Sequence, residues 1–237
     1  AMPDCPSLPP WPWLDPLRAH LAERFAAEAR DGAHDLSHAL RVARNAWMLA
    51  QAEGAEGETC VAAALLHDLV YRPKNHPESS RTALWSAEEA RAWCAARPEL
   101  APRAEAVAEA IRTHSFSAGL EPTTREGEVL QDADRLEALG AIGLARCFAT
   151  GGAMGAGLWH PGDPWGEARP LDDKAWSLDH FPCKLLKLRD TFRTGAGRRE
   201  AARRHEVLEA FLEAPRQELS ASGPDGPAGP PCGCGSR

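Results

Sequence analysis

Val61-Ala62-Ala63-Ala64-Leu65-Leu66-His67-Asp68 is the stretch that decides how this chain is read. Six apolar residues run without interruption and end on two ionisable ones. Alanine and leucine lose little side-chain freedom in a helix, so the run reads as helix, expected over 58–70. An ionisable pair closing so apolar a segment is costly to bury without a partner. A cation satisfies both members, imidazole offering a neutral nitrogen and aspartate an anionic oxygen. Neighbouring residues on a helix diverge by about 100°, so one ion serves both only near the helix end. Alone, the dipeptide reads first as a capping Asp beside a core His.

The segments on either side supply company for it. Upstream, Asp35 and Ser37 are N-cap residues for a helix over about 38–53, stopped at Gly54. His38 shares a face of that helix with Val42, Ala46 and Leu49, and an apolar face looks inward. Downstream, Gln131-Asp132-Ala133-Asp134-Arg135-Leu136 places two carboxylates in a helix expected over 128–149. Asp134 shares a side with Leu130, Ala138 and Ala141 and is expected to point into the bundle, with Asp132 as its rival. Two histidines and two carboxylates on three inward faces suit a divalent metal that accepts mixed nitrogen and oxygen ligands. Mn2+ is the first expectation, with Fe2+, Zn2+, Mg2+, Co2+ and Ni2+ as alternatives.

The rest of the chain is read around this core. Asp15-Pro16 marks the start of a helix over 15–30, and further helices are expected over 80–96, 102–114, 176–188 and 198–219. Pro73 and Pro77 make 72–79 a loop. Residues 151–173, rich in Gly, Pro and Trp, carry no period, and a substrate-covering lid is one reading of them. No strand and no repeat is expected. The outcome is an all-α, single-domain helical bundle over 15–219 with a metal site in its core. An irregular segment, 1–14, precedes it, and a Gly/Pro-rich tail, 220–237, is read as disordered.

Composition narrows the function. The formal charge is −7, which leaves no basic face for a nucleic-acid polymer. Arg198, Arg199, Arg203 and Arg204 are interleaved with Glu200 and Glu206 and read as a solvated helix face. Of seven cysteines five are scattered and form no disulfide framework, and the Cys232/Cys234 pair lacks the roughly four ligands of a structural zinc site. No apolar run approaches the roughly 20 residues of a membrane helix. A cytoplasmic location is expected, and a homodimer is left open.

The ordered set His38…His67-Asp68…Asp134 resembles the HD-domain superfamily of metal-dependent phosphohydrolases. Further segments are similar to bacterial YedJ-type HD hydrolases: Lys74-Asn75-His76-Pro77, Thr113-His114-Ser115-Phe116-Ser117-Ala118, Arg169-Pro170-Leu171-Asp172-Asp173-Lys174 and Leu178-Asp179-His180-Phe181. The resemblance spans roughly residues 15–215. It implies that His38, His67, Asp68 and Asp134 hold the metal, and that a phosphate ester or anhydride of a nucleotide is cut by a metal-activated water. It also favours Asp134 over Asp132, because the last ligand of such proteins precedes a basic residue and Leu.

Attack at phosphorus needs cations near the developing charge, and Lys74, Arg81 and Arg135 are the nearest in sequence. Lys74 reaches a substrate phosphate or faces solvent. Arg135 contacts substrate or pairs with Glu137 or Asp132. His114 extends the inward face of Val107 and Ile111. The resemblance implies for it a phosphate contact or proton transfer beside Asp68, with a satisfied core histidine as the other reading. His180 and Lys184, one turn apart, close the substrate pocket or form a plain surface pair. The competing functions are a cyclic-nucleotide or dinucleotide phosphodiesterase, a di-iron oxygenase and a non-catalytic nucleotide sensor.

Overall fold

The computed structural model describes residues 8–28, 35–72, 76–115 and 119–220. The central helix is α3 (Gly57–Leu66), and every residue from Cys60 to Leu66 is fully buried. A helix apolar all round must be surrounded. Its neighbours are α2 (Leu36–Glu53), α5 (Ala104–His114) and α6 (Arg125–Arg135), with α4 (Thr82–Ala95) packed on α5. The first helix, α1 (Leu14–Ala27), lays Leu14, Leu17, Leu21 and Phe25 on this core. Helices α7 (Gly140–Ala153), α8 (His180–Cys183) and α9 (Gly195–Ser220) complete the bundle, α7 packing on α9. The fold is all-α and forms one helical domain, as expected.

The ends of the helices that carry the site are set by local chemistry. Asp35 Oδ1 accepts the His38 amide at 2.8 Å, capping α2, and Gly54 closes that helix. Ser37 lies inside α2, where its hydroxyl accepts from Arg41. Glu56 caps α3 by accepting the amides of Glu58 and Thr59. Thr124 caps α6 through the Gly127 amide. Each cap satisfies amides that the first turn leaves without intrahelical partners.

Several expected boundaries move. Asp15 lies within the first turn of α1 and pairs with Arg18, while Trp13 occupies the cap position with no side-chain cap. Among described residues α1 ends at Ala27 and α3 stops at Leu66, short of 70. The expected helix over 128–149 is two helices. After Arg135 the chain makes one 3-10 turn, Leu136–Ala138, and Leu139 turns extended with its side chain fully buried. Gly140, the first residue of α7, then takes a φ of +68°, a conformation that costs other residues roughly 1–2 kcal/mol. The expected helix over 176–188 is likewise interrupted, because Lys184 leaves helical dihedrals between α8 and a 3-10 stretch, Leu185–Thr191.

Residues 154–179 hold no regular element beyond a parallel bridge between Gly157 and Trp176. Side-chain bonds and half-buried rings order the segment. Arg169 makes a two-pronged bond to the buried Asp179 carboxylate at 2.6 and 2.8 Å, and Trp159 and Trp165 pack against the core.

Candidate metal centre

Four helix ends converge on one point. The first turn of α2 brings His38, the residue capping the end of α3 is His67, α5 ends on His114, and the last turn of α6 carries Asp134. His38 Nε2 lies 3.4 Å from Asp134 Oδ1 and 3.9 Å from Asp68 Oδ2. His67 Nε2 lies 3.2 Å from Asp68 Oδ2 and 3.9 Å from Asp134 Oδ1. The ring of His114 stands edge-on to that of His67, with centroids 5.1 Å apart. Ligand atoms of His67, Asp68 and His114, and of His38, His67 and Asp134, lie within 4.8 Å of one another.

This donor set fits a divalent cation. Donors about 2.0–2.2 Å from one ion and about 90–110° apart stand roughly 3.0–3.5 Å from each other, so the measured edges need little closing. The tautomers agree. His67 Nδ1 donates to the Ala64 carbonyl at 2.7 Å, and His114 Nδ1 donates to Ile111 at 2.5 Å, leaving each Nε2 lone pair to face the cluster. The cluster is also one-sided. The three histidines are buried, whereas the Asp68 and Asp134 side chains keep 24% and 37% of their surface. Imidazoles form the floor and carboxylates the open rim.

The electrostatics describe a site that attracts positive charge. Burial alone would depress His67, but Asp68 and Asp134 outweigh it and raise its pKa to about 9. Burial opposes the charge on His38 as well, and Asp134 and Glu137 reverse that effect. His114 shifts down, through burial and through the charge of His67 beside it. Asp134 is held far below the usual carboxylate range by His38, His67 and His114, against the effect of its burial. Protons on the histidines here take the place of a cation.

The two carboxylates of the α6 motif do different work. Asp134 faces the histidine pair. Asp132, fully buried, accepts the amides of Arg193 at 2.9 Å and Thr194 at 2.8 Å and the Thr194 hydroxyl at 2.7 Å. It clamps the start of α9, and a Cβ on Gly197 would collide with its Oδ2.

Of the expected substrate residues, Arg81, Arg135, His180 and Lys184 lie among the described ones. Lys74 lies outside the described residues. Arg81 lies over the Trp85 ring at 5.0 Å. Arg135, buried, donates to the Thr191 carbonyl and lies against the Phe192 ring, while Glu137 takes other partners. His180 Nδ1 lies 3.0 Å from Asp173 Oδ2, and the Lys184 amide donates to the His180 carbonyl at the end of α8.

Glu137 is the residue that sequence reasoning missed. It is 1% exposed, and its Oε2 lies 3.5 Å from His38 Nδ1 and 2.7 Å from Arg41 Nε. The available signal was spacing: Glu137 follows Asp134 by three residues and Arg41 follows His38 by three, which puts each one turn from a cluster residue.

A family model of the HD domain matches residues 35–139, the segment that contains the whole cluster. The Bacillus subtilis protein YpgQ is 33% identical over 183 residues, covering 76% of this chain and 81% of the relative. The chain belongs to the HD-domain family. Solved structures extend the likeness beyond the HD domain to α9. An HD-superfamily hydrolase from Bacillus thuringiensis is 33% identical with a TM-score of 0.65, covering 88% of this chain and 97% of its own. YpgQ in complex with ADP is 30% identical with a TM-score of 0.63, covering 89% and 98%. The fold is that of HD-superfamily hydrolases. Among the described residues no helix is long and apolar enough to cross a membrane.

Proposed function

We propose that this HD-domain protein is a metal-dependent phosphohydrolase that cuts a phosphate ester or anhydride bond of a nucleotide. The observation that carries the reading is the cluster itself: ligand atoms of His38, His67, Asp68 and Asp134 separated by 3.2–3.9 Å, with the carboxylates on the open side. When bound, a divalent cation supplies a water of pKa near 7, against about 15.7 in bulk, and polarises a phosphoryl oxygen. The mixed imidazole and carboxylate donors suit Mn2+, Fe2+ or Zn2+, and Mn2+ is the one proposed.

The chain's own residues do the rest. The buried imidazoles fix the floor, each with Nδ1 turned away and Nε2 turned in. The half-buried Asp68 and Asp134 carboxylates, on the open side, orient what binds from solvent. Asp68 and His114 stand where a proton is held or moved. His114 suits an acceptor role, since its lowered pKa keeps it neutral near pH 7 and its Nε2 carries the free lone pair. Lys74, Arg81, Arg135, His180 and Lys184 are proposed as contacts for the phosphate-bearing substrate. The nucleotide class is supported by the ADP bound to YpgQ, and the YedJ-type likeness belongs to the same reading. Cys60, Cys94, Cys147 and Cys183 are free thiols, which fits a reducing, cytoplasmic setting.

The test is release of phosphate and pyrophosphate from a panel of nucleotides with added Mn2+, comparing the wild type with Asp68→Ala. Release that vanishes in the variant supports the reading, and the product names the bond. No release from any nucleotide removes the nucleotide assignment. A dinuclear phosphodiesterase is the second reading. It is favoured by His114, whose ligand atom joins those of His67 and Asp68, and two bound cations per chain would select it.

A further inference from the structure

Each histidine of the cluster must present Nε2 to the open rim, so each needs something to hold the opposite nitrogen. For His67 and His114 that partner is a carbonyl of the same helix, Ala64 and Ile111, three residues back. His38 is held differently. It stands in the first turn of α2, and the carbonyl three residues back, that of Asp35, accepts the Ala39 amide. The group behind its Nδ1 is the Glu137 carboxylate, 99 residues away in sequence, with Oε2 at 3.5 Å.

That carboxylate is held from two other helices. Arg41 of α2 donates Nε to the same Oε2 at 2.7 Å. Arg146 of α7 donates Nη1 to the Glu137 carbonyl at 3.2 Å and approaches Oε2 at 3.7 Å. The 3-10 turn Leu136–Ala138 that breaks the α6–α7 helix is the element that aims Glu137. The same segment thus delivers Asp134 to the front of His38 and Glu137 to its back.

We infer that Glu137 is a positioning residue of the metal centre: it accepts the Nδ1 proton of His38, fixes that imidazole as a Nε2 donor and makes it a stronger ligand. This rests on the metal-site reading above. A carboxylate behind a ligating histidine orients the ring and raises its basicity, and its loss typically costs about 10–100-fold in metal affinity. Arg41 and Arg146 hold the carboxylate in place and need not touch substrate.

The test is titration of the metal-free protein with Co2+, followed by its visible absorption, for wild type, Glu137→Gln and Arg41→Ala. Glu137→Gln keeps the shape and removes the charge, and its Co2+ affinity should fall about 10–100-fold with an altered absorption band. Arg41→Ala leaves the carboxylate behind His38, still approached by Arg146, and should lose clearly less Co2+ affinity than Glu137→Gln while losing thermal stability. If circular dichroism shows that Glu137→Gln has lost its helix, Glu137→Asp, which keeps the charge but shortens the reach, replaces it with the same expected loss. A folded Glu137 variant with wild-type Co2+ affinity and spectrum overturns the inference, as do equal affinity losses in Glu137→Gln and Arg41→Ala. A wild type that takes up no Co2+ overturns the metal-site reading itself, which separates the two failures.

Discussion

His67 Nε2 lies 3.2 Å from Asp68 Oδ2, and α3 ends at the residue before them. Side chains adjacent on a continuing helix diverge by about 100° and would face different neighbours. Here His67 is the first residue beyond α3, and Asp68 sits in the turn that follows. The end of the most buried helix is therefore also the centre of the site, and the consequences can be measured.

Asp68→Ala and Asp134→Ala should each weaken divalent-metal binding by more than about 100-fold, beyond the usual loss for an outer partner. Each removes a donor atom rather than its support. Calorimetric titration of the metal-free variants with Mn2+ checks this. Chelation of the wild type should likewise abolish activity and Mn2+ should restore it. Unchanged titration curves in both variants would place the metal elsewhere.

Metal and protons compete at His67. Without a cation its folded pKa is raised to about 9 from an ordinary 6.5. A raised folded pKa contributes stability that is fully present below pH 6.5 and lost as pH rises through about 9. The chelated protein should therefore lose melting temperature across that window, and the Mn2+-loaded protein should not. Asp134, held low, acts in the opposite sense, and its contribution disappears only in acid below its ordinary 3.8. Melting curves from pH 6 to 9.5, with and without chelator, decide the matter, and parallel slopes would refute it.

Asp132→Ala should separate stability from metal binding. It strips the amides of Arg193 and Thr194 of a buried acceptor and should cost about 3 kcal/mol or more in urea unfolding. The folded fraction should still titrate with metal as the wild type does, in contrast to Asp134→Ala. A variant of normal stability that lost the metal would exchange the roles of the two aspartates.

Gly140→Ala should destabilise by roughly 1–2 kcal/mol, because alanine resists the left-handed conformation at this break. The new Cβ would also meet the Arg204 side chain at 3.2 Å. Thermal denaturation is the measurement. A neutral result would mean that α6 and α7 can join differently.

How much of this was legible in advance differs from residue to residue. The apolar run before His67, the Asp35 cap and the inward stripe under His38 are short-range signals, and they led to α2, α3 and the histidine pair. The break at Leu139 and Gly140 carries no such signal, because Gly140 is one glycine in a helix-forming stretch. Its conformation follows from burying Leu139 and from Arg204 packing alongside. Trp176 to Leu188 looked helical for the same reason, its interruption at Lys184 being a matter of tertiary fit.

The sequence by itself determined the helical class and singled out His38, His67, Asp68 and the Asp132/Asp134 pair as candidates, because periodicity and ionisable residues in apolar runs are local properties. Only the tertiary structure decided that Asp134 meets the histidines while Asp132 clamps α9, and that Glu137 stands behind His38. Those outcomes depend on which helix ends are packed together across 62 and 99 residues of chain. Spacing within one helix describes the face of that helix, and only packing supplies what lies opposite.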